Sequence, residues 1–152
     1  RRLAGRVALG VRQPLLVERA LEKLRAILLA QVKLELGVIP RALHLPVNVT
    51  VTNIGKVEAG EVVQFYLSDL EASVPVPVHN LIGFERVHLK PGQSKKVKFT
   101  VKPETMMLFG NDGRQVLEPG AFRLTVGGCS PSERGLALGA SNPVSAEFTV
   151  KK

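Results

Sequence analysis

Val49-Thr50-Val51-Thr52-Asn53-Ile54-Gly55-Lys56-Val57-Glu58-Ala59-Gly60-Glu61-Val62-Val63-Gln64-Phe65-Tyr66-Leu67 reads as two strands joined by a turn-rich connection. On the first limb Val49 and Val51, with Val47 just before them, alternate with Asn48, Thr50 and Thr52. On the second, Val63, Phe65 and Leu67 alternate with Gln64, Tyr66 and Ser68. A period of two sends one set to a core and the other to water, the pattern of an antiparallel sheet solvated on one side. Asn53-Ile54-Gly55 is turn chemistry, and Gly55 and Gly60 are read as the residues that take positive φ where the chain reverses.

The same period recurs downstream. Val97, Phe99 and Val101 oppose Lys96, Lys98, Thr100 and Lys102; Phe122, Leu124 and Val126 oppose Arg123 and Thr125; Ala146, Phe148 and Val150 close the series. Two weaker stretches, Val32 to Leu36 and Ile82 to Leu89, bring the count to about seven strands. Pro91-Gly92, Asn111-Asp112-Gly113 and Pro119-Gly120 punctuate them, and one helical turn is expected at Pro103 to Met107. Many short strands without crossover helices predict an all-β, antiparallel β-sandwich. Its expected core takes the inward valines, leucines and phenylalanines of these strands, together with Phe84. Pro75 and Pro77 cannot complete a central ladder and are expected on the surface or along an edge.

Before the strands the period differs. Leu16, Ala20, Leu21, Leu24, Ile27 and Leu28 recur at three and four, and Pro14 suits a first helical turn. The spacing predicts an amphipathic N-terminal helix over Pro14 to Ala30, hence an extension at 1–30 and a sandwich at 31–152. The helix's apolar face needs cover, from the sandwich or from a larger protein.

A chain of 152 residues suits one domain plus an extension, and 45% hydrophobic residues supply a core. The net charge of +8 raises nucleic acid as a partner. The basic residues are scattered, however: Arg1, Arg2, Arg6, Arg12, Arg19 and Arg25 lie at the start, while Lys96, Lys98 and Lys102 lie where a strand exposes every second residue without interleaved aromatics. No nucleic acid partner is therefore expected. One cysteine, Cys129, excludes an internal disulfide. No apolar run approaches the roughly 20 residues of a membrane span, so no membrane partner is expected. The start lacks Met and is interrupted by Arg6 and Arg12, unlike a signal peptide, so the chain reads as a fragment of something longer.

Catalytic chemistry is sparse. Asp69 and Glu71 stand two apart at a strand end, and Glu104, Asp112 and Glu118 occupy turn or helix-start positions, so all read as solvated charges. His44, His79 and His88 with Cys129 lack metal-ligand spacing. Ser130 and Ser132 flank Pro131 without a nucleophile elbow, and Gly127-Gly128 lacks the Lys-Ser/Thr of a phosphate loop. No catalytic, metal or cofactor-binding residue is assigned, and no cofactor. Asn48-Val49-Thr50 fits an N-glycosylation acceptor with Asn48 outward.

Three blocks resemble one family in order and spacing: the opening hairpin; Pro75-Val76-Pro77 leading through Leu81-Ile82-Gly83-Phe84-Glu85-Arg86 to Pro91-Gly92 and Val97; and Asn111-Asp112-Gly113 through Glu118-Pro119-Gly120 to Gly127-Gly128. Together, over roughly Val47 to Gly128, they resemble the immunoglobulin-like, fibronectin type III-like domain near the C-terminus of family 3 glycoside hydrolases, the β-glucosidase and β-xylosidase group. The resemblance implies a non-catalytic accessory domain that packs on and stabilises the catalytic domains of a parent glycosidase or supports oligomer contacts, in a secreted or periplasmic setting. In that family the nucleophile and acid/base belong to preceding domains, so the chain alone is not expected to hydrolyse glycosides. The alternatives are a free-standing immunoglobulin-like interaction module and a small basic nucleic-acid binder.

Overall fold

The structure is a computed structural model that describes residues 27–33, 38–42 and 44–151. Its strands are β1 (Ile27–Lys33), β2 (Val38–Ile39), β3 (Leu45–Asn53), β4 (Ala59–Asp69), β5 (Asn80–Leu89), β6 (Ser94–Val101), β7 (Leu108–Phe109), β8 (Gln115–Val116), β9 (Gly120–Gly127) and β10 (Val144–Val150). A 3-10 turn at Pro103–Met106 and a short helix, α1 (Glu133–Ala137), fall among them. One sheet has the order β1-β3-β6 and the other β2-β10-β9-β4-β5, with β7 and β8 forming a small ribbon. All pairings are antiparallel except the short β2–β10 contact.

The alternation seen in sequence becomes the core between the sheets. Val47, Val49, Val51, Val63, Phe65, Leu67, Val97, Val101, Phe122, Leu124, Val126, Phe148 and Val150 are all buried, joined by Val87 and Leu89 from β5. Phe99 is partly buried and stacks on Phe65 across the sandwich, with ring centroids 4.2 Å apart. This close pairing requires space on β5. Phe65 faces Gly83 but Tyr66 faces Leu81, so Ile82 is an extra residue, a β-bulge. A Cβ on Gly83 would overlap Phe99 Cε2 and stand 2.7 Å from its Cζ. Ile82 and Gly83 therefore both turn inward, Ile82 packing on the core.

The bulge corrects the expectation for Phe84. The slip sends its side chain outward, opposite Gln64, where it is 67% exposed rather than buried.

The connections are held by polar groups. Asn53, fully buried at the end of β3, donates from Nδ2 to the carbonyls of Val57 and Leu89, at 2.9 and 2.8 Å, and accepts from the Gly55 N–H. Its backbone also pairs with the neighbouring β5–β6 turn, through Gln93 O and the Gly92 N–H. That turn is type II: Gln93 N–H donates to Lys90 O, and Gly92 takes φ 73° just after Pro91. Positive φ occurs among the described glycines at Gly92, Gly113 and Gly139, so the β3–β4 connection reverses by the Asn53 side chain and not by left-handed Gly55 or Gly60.

The N-terminal expectation is corrected where it can be compared. Residues 27–30, the last turn of the expected helix, belong to β1, which pairs antiparallel with β3, Ile27 opposite Asn53. Pairing with the free edge of β3 overrides the local three-and-four spacing. The rest of that helix, 14–26, lies outside the described residues. The expected turn at Pro103 appears as the 3-10 segment, and the two prolines, Pro75 and Pro77, are exposed in the β4–β5 loop.

Candidate functional site

The two sheets present unlike outer faces. On the three-stranded sheet the outward residues of β3 and β6 are Pro46, Asn48, Thr50 and Thr52 beside Ser94, Lys96, Lys98 and Thr100, all polar except Pro46. On the five-stranded sheet β4 turns Val62, Gln64, Tyr66 and Ser68 outward, and their β5 partners are Arg86, Phe84 and Leu81 opposite Val62, Gln64 and Tyr66. Tyr66 is only 8% exposed although it faces away from the core. Its hydroxyl donates to Gln64 Oε1 at 2.6 Å, and Gln64 Nε2 donates to Gly128 O. Thr125 of β9, opposite Tyr66, is buried too. Leu81 and Phe84 remain exposed beside this pair. The signal was present in the sequence: Val62 and Tyr66 make the second limb of the opening hairpin a nearly continuous apolar run, where a solvated strand would alternate.

At the end of the sandwich where β4 finishes, a groove of about 260 Å³ opens between the β4–β5 loop and the segment from Thr105 to Phe109. Leu67 and Phe122 line it from the core strands and Val74 to Pro77 from the loop. Asp69 is the one carboxylate on its wall. Burial pushes the Asp69 carboxyl up; the Glu71 N–H bond opposes this, while the Glu118 and Glu71 charges add to it.

The other two acids of this end are engaged with the loop and with β9. Glu71 Oε2 accepts the Ala121 N–H at 3.0 Å. Glu118 accepts from both the hydroxyl and the N–H of Ser73, at 2.6 and 3.0 Å, and these bonds hold its carboxyl below the usual range. At the far end of the loop, Ser68 Oγ donates to Val78 O at 2.6 Å and lies 3.0 Å from His79 Nδ1. Because the Ser68 proton is spent on a carbonyl, the Ser68–His79 contact does not activate a nucleophile. Glycoside hydrolysis needs two carboxyl groups facing one cleft. Here Asp69 faces the groove while Glu71 and Glu118 hold backbone.

The remaining sequence candidates are dispersed. His88 pairs with Glu58 at 3.1 Å on the surface, and His44 precedes β3. Among the described residues no group of three or more His, Cys, Asp or Glu converges as a metal site. Cys129 is partly buried beside Ser130 O, and burial, then the Glu61 charge, push its thiol up, away from the reactive thiolate. Glu104 opens the 3-10 turn, and Asp112 caps the β7–β8 connection by accepting from the Arg114 N–H. No described helix is long and apolar enough to cross a membrane.

Comparison with known proteins fits this sandwich. The family model of the fibronectin type III-like domain matches residues 61–130. A putative beta-xylosidase of Formosa agariphila is 43% identical over 84 residues, 55% of this chain and 11% of the relative. The beta-glucosidase BoGH3A of Bacteroides ovatus is 42% identical over 92 residues, 60% of this chain and 12% of the relative. The crystal structure of a beta-glucosidase from Listeria innocua in complex with glucose superposes with a TM-score of 0.68 at 28% identity, over 83% of this chain and 16% of that one. The chain thus spans about one eighth of the length of the curated relatives it matches. Residues 61–130 match the fibronectin type III-like domain, and the relatives and solved structures similar to this region are β-glucosidases and β-xylosidases of the family 3 glycoside hydrolases.

Proposed function

We propose that this domain is a non-catalytic accessory part of a family 3 β-glycosidase, acting in carbohydrate degradation by packing on the catalytic domains and stabilising them. The observation that carries the reading is the match at 42–43% identity to only 11–12% of the relatives' length. The site chemistry supports it, since Glu71 and Glu118 spend their oxygens on loop and strand donors. The sandwich expected at 31–152 is proposed to take in residues 27–30 as well, since β1 pairs with β3. The test has two arms. Reading the gene around this segment is expected to show the catalytic domains of a glycosidase in the same frame, and the purified chain is expected to release no colour from aryl β-glucosides or β-xylosides. A frame without a glycosidase, or turnover by the chain alone, overturns the proposal.

A further inference from the structure

A sandwich that stands free in water has two outer faces under the same demand, to be polar. Among the described side chains it meets the demand across β3 and β6 of one sheet and, on the other, across β9 and β10, where Arg123 pairs with Glu147, but not across β4 and β5. Across β3 and β6 every outward residue but Pro46 is polar, and Lys96 and Lys98 are exposed. Across β4 and β5 the central outward positions hold Val62, Tyr66, Leu81 and Phe84, with Leu81 47% and Phe84 67% exposed. The bulge at Ile82 puts Leu81 and Phe84 on this one face, opposite Tyr66 and Gln64. Gln64 is bonded on both sides of its amide, which leaves its neighbour Phe84 as the prominent feature. Exposed Arg86 stands at the margin, opposite Val62. A rigid aromatic beside buried Tyr66, with an arginine at the rim, is the composition of an interface centre rather than of a solvated sheet.

We infer that this outer face, centred on Phe84 and Leu81, is the surface by which the domain docks on the remainder of its own polypeptide, against an apolar patch that offers Arg86 a carboxylate. The inference rests on the proposed function and adds the face. The occupant follows from length: the domain covers 16% of the solved beta-glucosidase chain, which leaves 84% of such a polypeptide to supply the cover. The lysine-bearing face of the other sheet stays in water.

The test compares the polypeptide encoded by the whole reading frame with this chain alone, by hydroxyl-radical labelling read by mass spectrometry. Phe84 is expected to be labelled at least about tenfold less in the whole polypeptide, because an interface centre excludes water. Phe109, at the groove, is expected to change far less. Phe84→Asp is expected to lower the melting temperature of the whole polypeptide while leaving that of the chain nearly unchanged, and Lys98→Asp to alter neither. Equal labelling of Phe84 in both proteins overturns the inference, as does protection of Phe109 in its place. Protection of Phe84 in the chain alone that grows with concentration means a second copy is the occupant, and overturns it as well. A reading frame without a glycosidase fails the proposed function and this inference together. A glycosidase in frame with Phe84 still labelled fails this inference alone.

Discussion

Asn53→Ala isolates one buried side chain as the fastener of two connections. The Asn53 amide makes three hydrogen bonds, to Val57 O, to Leu89 O and from the Gly55 N–H, and the residue is 0% exposed. Each such bond contributes about 0.5–1.5 kcal/mol net, and a carbonyl left buried and unpaired costs about 1–3 kcal/mol. Alanine deletes all three and strands Leu89 O, so the loss is expected at roughly 2–4 kcal/mol. For a domain of this size that lowers Tm by about 10 °C. Asn53→Asp is nearly isosteric yet loses both donors and sets an anion against two carbonyl oxygens. Its folded-state pKa is therefore raised, the folded form holds the proton more tightly, and the damage grows as pH rises above the ordinary carboxylate value. The assay is urea unfolding at pH 7 and at pH 4, with Asn48→Ala on the exposed face of the same strand as control. Asn53→Ala within about 0.5 kcal/mol of the parent, or Asn53→Asp equal to the parent at pH 7, would refute the reasoning.

The other expectations concern packing, charge and backbone. Gly83→Ala drives a methyl into the Phe99 ring and is expected to cost about 1–3 kcal/mol; adding Phe99→Val should make the second change cost less than it does alone, as a double-mutant cycle in denaturant would show. Phe99→Ala by itself is expected to cost about 3 kcal/mol through the lost stack on Phe65, whereas Lys98→Ala stays within about 0.5 kcal/mol in the same measurement. Burial pushes the Glu61 carboxyl up, partly offset by its bond from the Val62 N–H. The folded state therefore binds that proton more tightly, and stability falls as pH rises from the ordinary carboxylate value through the raised one. Glu61→Gln is expected to raise stability at pH 7 by less than about 1 kcal/mol, given solvent screening, and to leave Tm unchanged at pH 4 in a thermal melt. Gly92→Ala forces a side chain to φ 73° and is expected to cost about 1–2 kcal/mol in equilibrium unfolding.

What was legible in the sequence is what depends on local period. Val47 to Val51 and Val97 to Val101 alternate without interruption and sit in the core as read. Phe84 was not legible, because Ile82 and Phe84 share one parity while Val87 and Leu89 share the other, and only the register against β4 shows where the phase slips. Ile27 to Ala30 fit a helix by spacing, but the free edge of β3 is a tertiary fact that spacing does not carry. Asn53 was visible as turn chemistry, while its bond to Leu89, 36 residues away, was not. For the candidate site, the absence of an elbow or metal spacing could be read directly. Glu118 and Ser73 meeting across the β4–β5 loop, and the contrast between the two outer faces, required the fold.

The β4–β5 loop is clasped from outside itself. Glu118 grips Ser73 on one side and Ser68 grips Val78 on the other, so the stretch from Val74 to Pro77 is suspended between two anchors that belong to other segments. A span fastened in this way can be rewritten, lengthened or given new side chains without disturbing the strands that carry its fasteners. Engineering has in it an exchangeable rim on a fixed frame, where new side chains would change the surface and leave the core as it is.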